Sequence, residues 1–126
     1  MDNLITKLME TKGPVVKLVV LKANGETVQE TVDMSPNLNP MGGLLNCTGV
    51  TFLGQYEDLQ VALVMCHEKD EKYASLQVNK HILPPPIPSD EKVMGDLVLV
   101  RMNEEAEPTD FTLEEWKSFV SSHTTL

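Results

Sequence analysis

The stretch "VVKLVVLK", Val15 to Lys22, constrains the fold more tightly than any other part of the chain. Side chains of a strand alternate between two faces, and here both faces are apolar apart from the lysines. Such a strand must be covered on both sides and belongs inside a sheet, not at its edge. It leads into Asn24-Gly25, the strongest short hairpin signal, because both residues accept positive φ. Glu26 to Val32 then returns as the partner strand.

Two more strands follow the same logic. "VTFLGQY" places Val50, Phe52 and Tyr56 on one face. "LQVALVMCH" places Leu59, Val61, Leu63 and Met65 on one face, with Ala62, Val64 and Cys66 on the other. Only Glu57-Asp58 separates the two, so they pair as an antiparallel hairpin. "SLQVNKHIL" reads as a half-buried strand carrying Leu76, Val78 and Ile82 on one side, and "DLVLVRM" as another strand.

Helical signals lie at the two ends and in the middle. Leu4, Ile5, Leu8 and Met9 share a stripe over residues 3–12, with Gly13 as the stop. Asn39-Pro40 reads as a cap and first turn of a short helical segment, weakened by Gly42-Gly43. In "DFTLEEWKSFV", Thr112 and Glu115 form a capping box, and Phe111 and Trp116 have the spacing of a hydrophobic staple. Leu113, Trp116, Phe119 and Val120 make the apolar face of that helix. The expected fold is a single α+β domain over residues 1–126, with a flexible tail from about 122. It has one mostly antiparallel sheet of about six strands, strongly twisted or barrel-like. An N-terminal helix, a short middle helical turn and a C-terminal helix pack on one side or end of it.

Charge removes several function classes. Nineteen acidic residues against ten basic ones give a net charge of −9, which repels phosphate backbones and disfavours nucleic acid. The same charge suits a partner protein with a basic surface. No apolar run approaches the roughly 20 residues that a bilayer requires, and "MDNLITKLMETKG" lacks the pattern of a secretory signal. Cys47 and Cys66 form no CxxC pair and no disulfide framework, which points to a reducing compartment, cytoplasm or nucleus.

"LPPPIP" interrupts the strands. Proline favours polyproline II, rising about 3.1 Å per residue, so the segment reaches from one strand to the next across roughly 20 Å. Pro85 to Pro88 also satisfies PxxP for an SH3-type groove, but the neighbours are Ser89, Asp90 and Glu91 where such grooves want a basic residue. A connector that also forms one wall of a contact surface accommodates both readings. Pro84, Pro85, Pro86 and Pro88 then face an aromatic wall drawn from Tyr56, Tyr73 or Trp116.

The order "LPPP", a spacer, "GDLVLVRM", an acidic stretch and "FTLEEW", with "VTFLGQYEDL" before it, resembles a family of uncharacterised small proteins of unicellular algae, related protists and large DNA viruses. The resemblance covers roughly Val50 to Val120. It implies an intracellular protein and carries no activity, cofactor or catalytic residue.

Chemistry-bearing motifs are sparse. Adjacent side chains in a strand point to opposite faces, so Cys66 and His67 cannot act on each other directly. A nucleophilic site needs Cys47 or Cys66 to meet His67 or His81 through the fold. His67, His81 and His123 lack metal-ligand spacing. The run His67 to Glu71 lacks the central glycine of a calcium loop. Gly42-Gly43 and Gly95-Asp96 match no phosphate-binding pattern. The expectation is a non-enzymatic protein-interaction domain or small subunit of a larger assembly, without cofactor or metal. The alternative is a small-molecule binder or enzyme whose pocket lies at the sheet or barrel mouth near Cys47, Cys66 or His81.

Overall fold

The computed structural model describes residues 14–35, 40–47, 49–69, 71, 73–88 and 91–123. The strands are β1 (Val15–Leu21), β2 (Thr27–Asp33), β3 (Val50–Tyr56), β4 (Val61–Cys66), β5 (Leu97–Met102) and β6 (Pro108–Thr109). The α-helices are α1 (Pro40–Leu45) and α2 (Leu113–His123), and single 3-10 turns span Glu57–Leu59 and Tyr73–Ser75. All pairings are antiparallel, in the order β2-β1-β5-β4-β3, with β6 added to β5.

β1 and β5 are interior strands because their side chains are apolar on both faces, and Leu18, Val19, Leu21, Val98 and Leu99 are fully buried. The two faces build two cores. Val19, Leu21, Leu63, Met65, Leu97 and Leu99 point towards α2, where Phe111, Trp116 and Phe119 complete the cluster. Leu18, Val20, Val64, Val98 and Val100 point the other way and meet Leu45 of α1. Burying an aliphatic side chain contributes about 1.5–3 kcal/mol, so these two layers carry most of the stability.

Local signals explain the ends of elements. Gly25 closes the β1–β2 turn at φ 103°, with its N–H donating to the Lys22 carbonyl at 3.0 Å. The capping box at the start of α2 forms in both directions. The Glu115 N–H donates to Thr112 Oγ1, and the Thr112 N–H donates to Glu115 Oε1, each at 3.3 Å. A third tie runs from the Leu113 N–H to Gln29 Oε1 at 2.9 Å, fastening the helix start to β2.

Four expectations need correction. The sheet is open, with β2 and β3 as its edges, and it does not close towards a barrel. The helices do not share a side: α1 and α2 lie on opposite faces, as the doubly apolar β1 and β5 require. The segment "SLQVNKHIL" is not a strand and makes one isolated bridge, Val78 to Met94. Asn79 diverts it, because its side-chain N–H groups donate to the carbonyls of Leu21 and Gly95 at 3.0 Å each, and its Oδ1 accepts from the His81 N–H. Val78 and Ile82 consequently stay 45% and 83% exposed.

The fourth correction concerns β3. Phe52 faces Val64 but Gly54 faces Leu63, so Leu53 is an extra, bulged residue. One added residue reverses the faces beyond it. Val50 and Phe52 therefore lie on the α1 side and Tyr56 on the α2 side, not on one shared face. The expected N-terminal helix over 3–12 and the cap at Asn39 lie outside the described residues. Helix α2 continues to His123, past the expected start of the tail.

Candidate functional site

The bulge in β3 delivers Tyr56 into the core beneath α2, where it is only 1% exposed. Its ring lies 5.0 Å from Phe119 and 5.7 Å from Trp116, distances at which tilted aromatic pairs attract. Its hydroxyl donates to the Pro84 carbonyl at 2.8 Å. Burial away from water pushes the phenol far above its ordinary pKa, so Tyr56 is a fixed donor at any physiological pH.

That hydrogen bond organises the prolines. Pro84 is buried, and its carbonyl also accepts from the Ile87 N–H at 3.3 Å, which closes a turn with Pro85 and Pro86 at its exposed corner. The expected polyproline II connector is thus replaced by a tight turn. Ile87 is buried on the far side and packs against Gly54, where a Cβ would lie 2.9 Å from Ile87 Cδ1. The absence of a side chain at Gly54 allows the proline turn to sit this close to β3.

Tyr56, Phe119, Pro85 and Pro86 enclose an open concavity of about 210 Å³ with Gln55, Glu57 and Asp58 on its rim. Glu57 and Asp58 belong to the 3-10 turn between β3 and β4 and are exposed. Among the described residues that line it, none is basic. The turn is held from behind by Arg101, whose Nε donates to the Leu59 carbonyl at 2.9 Å. The same guanidinium donates through Nη1 to the Asp110 carbonyl at 3.0 Å and through Nη2 to Glu115 Oε2 at 2.6 Å. It also stands 5.1 Å from the Phe111 ring centre. Burial alone would raise the Glu115 pKa, but the hydrogen bonds from Arg101 and Thr112 and the Arg101 charge outweigh it and hold the carboxyl below its usual value.

Of the residues singled out in the sequence, the fold brings Tyr56, Pro85 and Pro86 to one concavity. Pro84 lies behind them as the acceptor of the Tyr56 hydroxyl. Trp116 backs the aromatic cluster and lines a separate depression of about 350 Å³ with His81 and Ile82. Tyr73 borders a wide depression of about 540 Å³ near Phe52 and Met65. Pro88 lines a small cavity of about 60 Å³ beside Leu83 and Val93. Phe119, Glu57, Asp58 and Arg101 are the additions. Phe119 was visible as the residue three positions after Trp116 on the same helix face, and Arg101 as the one charge in an otherwise apolar strand.

The residues of the alternative site each contact backbone groups, and Cys47 Sγ and the His67 N–H share the Gly49 carbonyl. Cys66 is buried with its Sγ 3.7 Å from the His67 carbonyl, and Cys47 Sγ donates to the Gly49 carbonyl at 3.2 Å. His67 Nδ1 accepts from the Lys69 N–H at 3.0 Å, and His81 Nε2 lies 3.0 Å from the Glu26 carbonyl. Among the described residues, no group of three or more His, Cys, Asp or Glu side chains is placed to hold a metal ion. Among them, too, no helix is long and apolar enough to cross a membrane.

Residues 19–119 match a family of unknown function, DUF5880. The chain belongs to this family. The matched span begins inside β1 and ends at Phe119, so it contains every residue of the proline concavity. No curated protein and no solved structure matches the chain.

Proposed function

We propose that the protein is a non-enzymatic interaction domain of the cytoplasm or nucleus, and that the concavity at Pro85, Pro86, Tyr56 and Phe119 docks a segment of a partner protein. The supporting observation is a concavity lined by Pro85, Pro86, Tyr56 and Phe119 and rimmed by two carboxylates, with no basic side chain among its described lining residues. Rigid prolines lose little entropy when covered, which favours a contact surface. Glu57 and Asp58 select a lysine or arginine beside the inserted apolar side chain, and the net charge of −9 draws such a segment in. A volume of about 210 Å³ suits one anchoring side chain, whereas sites for drug-sized ligands run to about 300–1,000 Å³. The two free cysteines fit a reducing compartment.

Site-specific photo-crosslinking tests the assignment. A photoreactive side chain at Gln55, on the rim, is expected to capture a discrete partner in the native cell. The same group at Glu30, exposed on β2, is expected to capture none of it. Equal capture from both positions refutes the location.

A further inference from the structure

We infer that the depression between α2 and residues 79–82 binds a small monocarboxylate with an apolar body, at a site separate from the proline concavity. Asn79 sets up one wall. It holds the segment out of the sheet and runs it past the β1–β2 hairpin, where the Lys80 N–H donates to the Ala23 carbonyl at 3.0 Å. His81 Nε2 lies 3.0 Å from the Glu26 carbonyl, and a carbonyl only accepts, so this nitrogen carries the proton. The ring is thereby fixed against the hairpin, and Ile82 beside it is left 83% exposed. Helix α2 supplies the other wall. Trp116 and Val120, and Lys117 and Ser121, are each one helical turn apart and line the same depression. Its volume of about 350 Å³ falls within the range of about 300–1,000 Å³ for small-molecule sites. It shares no described lining residue with the proline concavity.

The polarity of the lining selects the ligand. Ile82, Trp116 and Val120 offer apolar surface, and Thr27, Lys117 and Ser121 stand beside them with one ammonium and two hydroxyls. Among the described residues, Lys117 makes no ion pair, and the hydroxyls of Thr27 and Ser121 make no hydrogen bond. None of the described lining residues is acidic. By contrast, the depressions of about 310 and 540 Å³ elsewhere on the surface include Glu57 and Glu104, and Glu68 and Glu91. An ammonium with two hydroxyl donors matches a carboxylate, whose charge strengthens every hydrogen bond it accepts. The apolar body of the ligand then covers Ile82. A cationic ligand would instead meet Lys117 as a like charge. The net charge of −9 opposes an anion at long range, but exposed charges more than about 10 Å away are largely screened at physiological salt.

The test follows the fluorescence of Trp116, the single tryptophan of the chain, while the protein is titrated with octanoate. The expected result is a saturable change with a Kd of about 1 mM or tighter. Octylammonium, the same body with the opposite charge, is expected to bind at least about tenfold more weakly, although the net charge alone would favour it. Lys117→Gln and Ile82→Ser, both at exposed positions, should each weaken octanoate binding by about tenfold with an unchanged circular dichroism spectrum. Lys92→Gln, outside the depression, should retain it. No saturable change below about 10 mM overturns the proposal. So does octanoate binding that survives Lys117→Gln, or octylammonium binding as tight as that of octanoate, since the lining would then act as an unselective apolar surface.

Discussion

Arg101 ties the acidic rim, the α2 cap and β6 together, so removing its head group tests how far the rim depends on the scaffold. Arg101→Met keeps most of the stem and deletes the guanidinium. The deletion loses bonds to two carbonyls, of Leu59 and Asp110, each contributing about 1 kcal/mol net. The pair with Glu115 is partly solvated, with side chains 21% and 40% exposed, so its share is about 0.5 kcal/mol. The contact with the Phe111 ring contributes about 0.5 kcal/mol more. The total is about 3 kcal/mol, a large part of a typical stability of about 5–15 kcal/mol. Urea unfolding followed by Trp116 fluorescence should show the midpoint falling by about 1–2 M with an unchanged slope. A double-mutant cycle with Glu115→Gln should return a coupling of about 0.5–1 kcal/mol. Arg101→Lys should recover less than half of the loss, because one ammonium cannot reach three separated acceptors. A midpoint shift below about 0.3 M for Arg101→Met would refute the reasoning, since water would then replace every one of these contacts without cost.

Three further outcomes follow from the same geometry. Trp116→Ala should cost about 3–5 kcal/mol, because the ring is 4% exposed and packs against Tyr56 and Phe119; an unchanged melting temperature would contradict its burial. The depressed Glu115 pKa contributes stability that is fully present above the ordinary carboxyl value of 4.5 and is lost as pH falls through the lower folded value. Urea midpoints of wild type and Glu115→Gln should therefore converge as pH falls below 4.5, and a gap that stays constant down to acid unfolding would count against the Arg101 and Thr112 contacts. Brief alkylation of the native protein, read by mass spectrometry, should label Cys47 well before Cys66, which is 1% exposed; equal rates would contradict the packing of β4.

The sequence showed most clearly those parts whose signals are local or periodic. The double-faced apolar run of β1, the alternation in β4 and β5, the Asn24-Gly25 turn and the Thr112–Glu115 capping box each depend on neighbours a few residues apart. Other features were hidden because long-range partners decide them. Asn79 keeps a strand-like segment out of the sheet through carbonyls at Leu21 and Gly95, and nothing in "SLQVNKHIL" announces those acceptors. The bulge at Leu53 reassigns Tyr56 to the other face, although Gly54 beside it marks a place where strands commonly break register. In the candidate site, Tyr56, Pro85 and Pro86 were legible as rings able to form a contact surface. The acidic rim reads only as a turn, and Trp116 and Tyr73, the alternatives to Tyr56 for the aromatic wall, line separate depressions.

The most direct test of the proposed interaction site reverses its rim charge. Glu57 and Asp58 are exposed, so Glu57→Lys with Asp58→Lys should leave the melting temperature within a few degrees of the wild type. Affinity capture from the native cell, comparing the two proteins by quantitative mass spectrometry, should then show a partner bearing a basic segment that the wild type retains and the variant loses. Recovery of the same proteins in the same amounts by both would contradict the assignment of the concavity as the docking site.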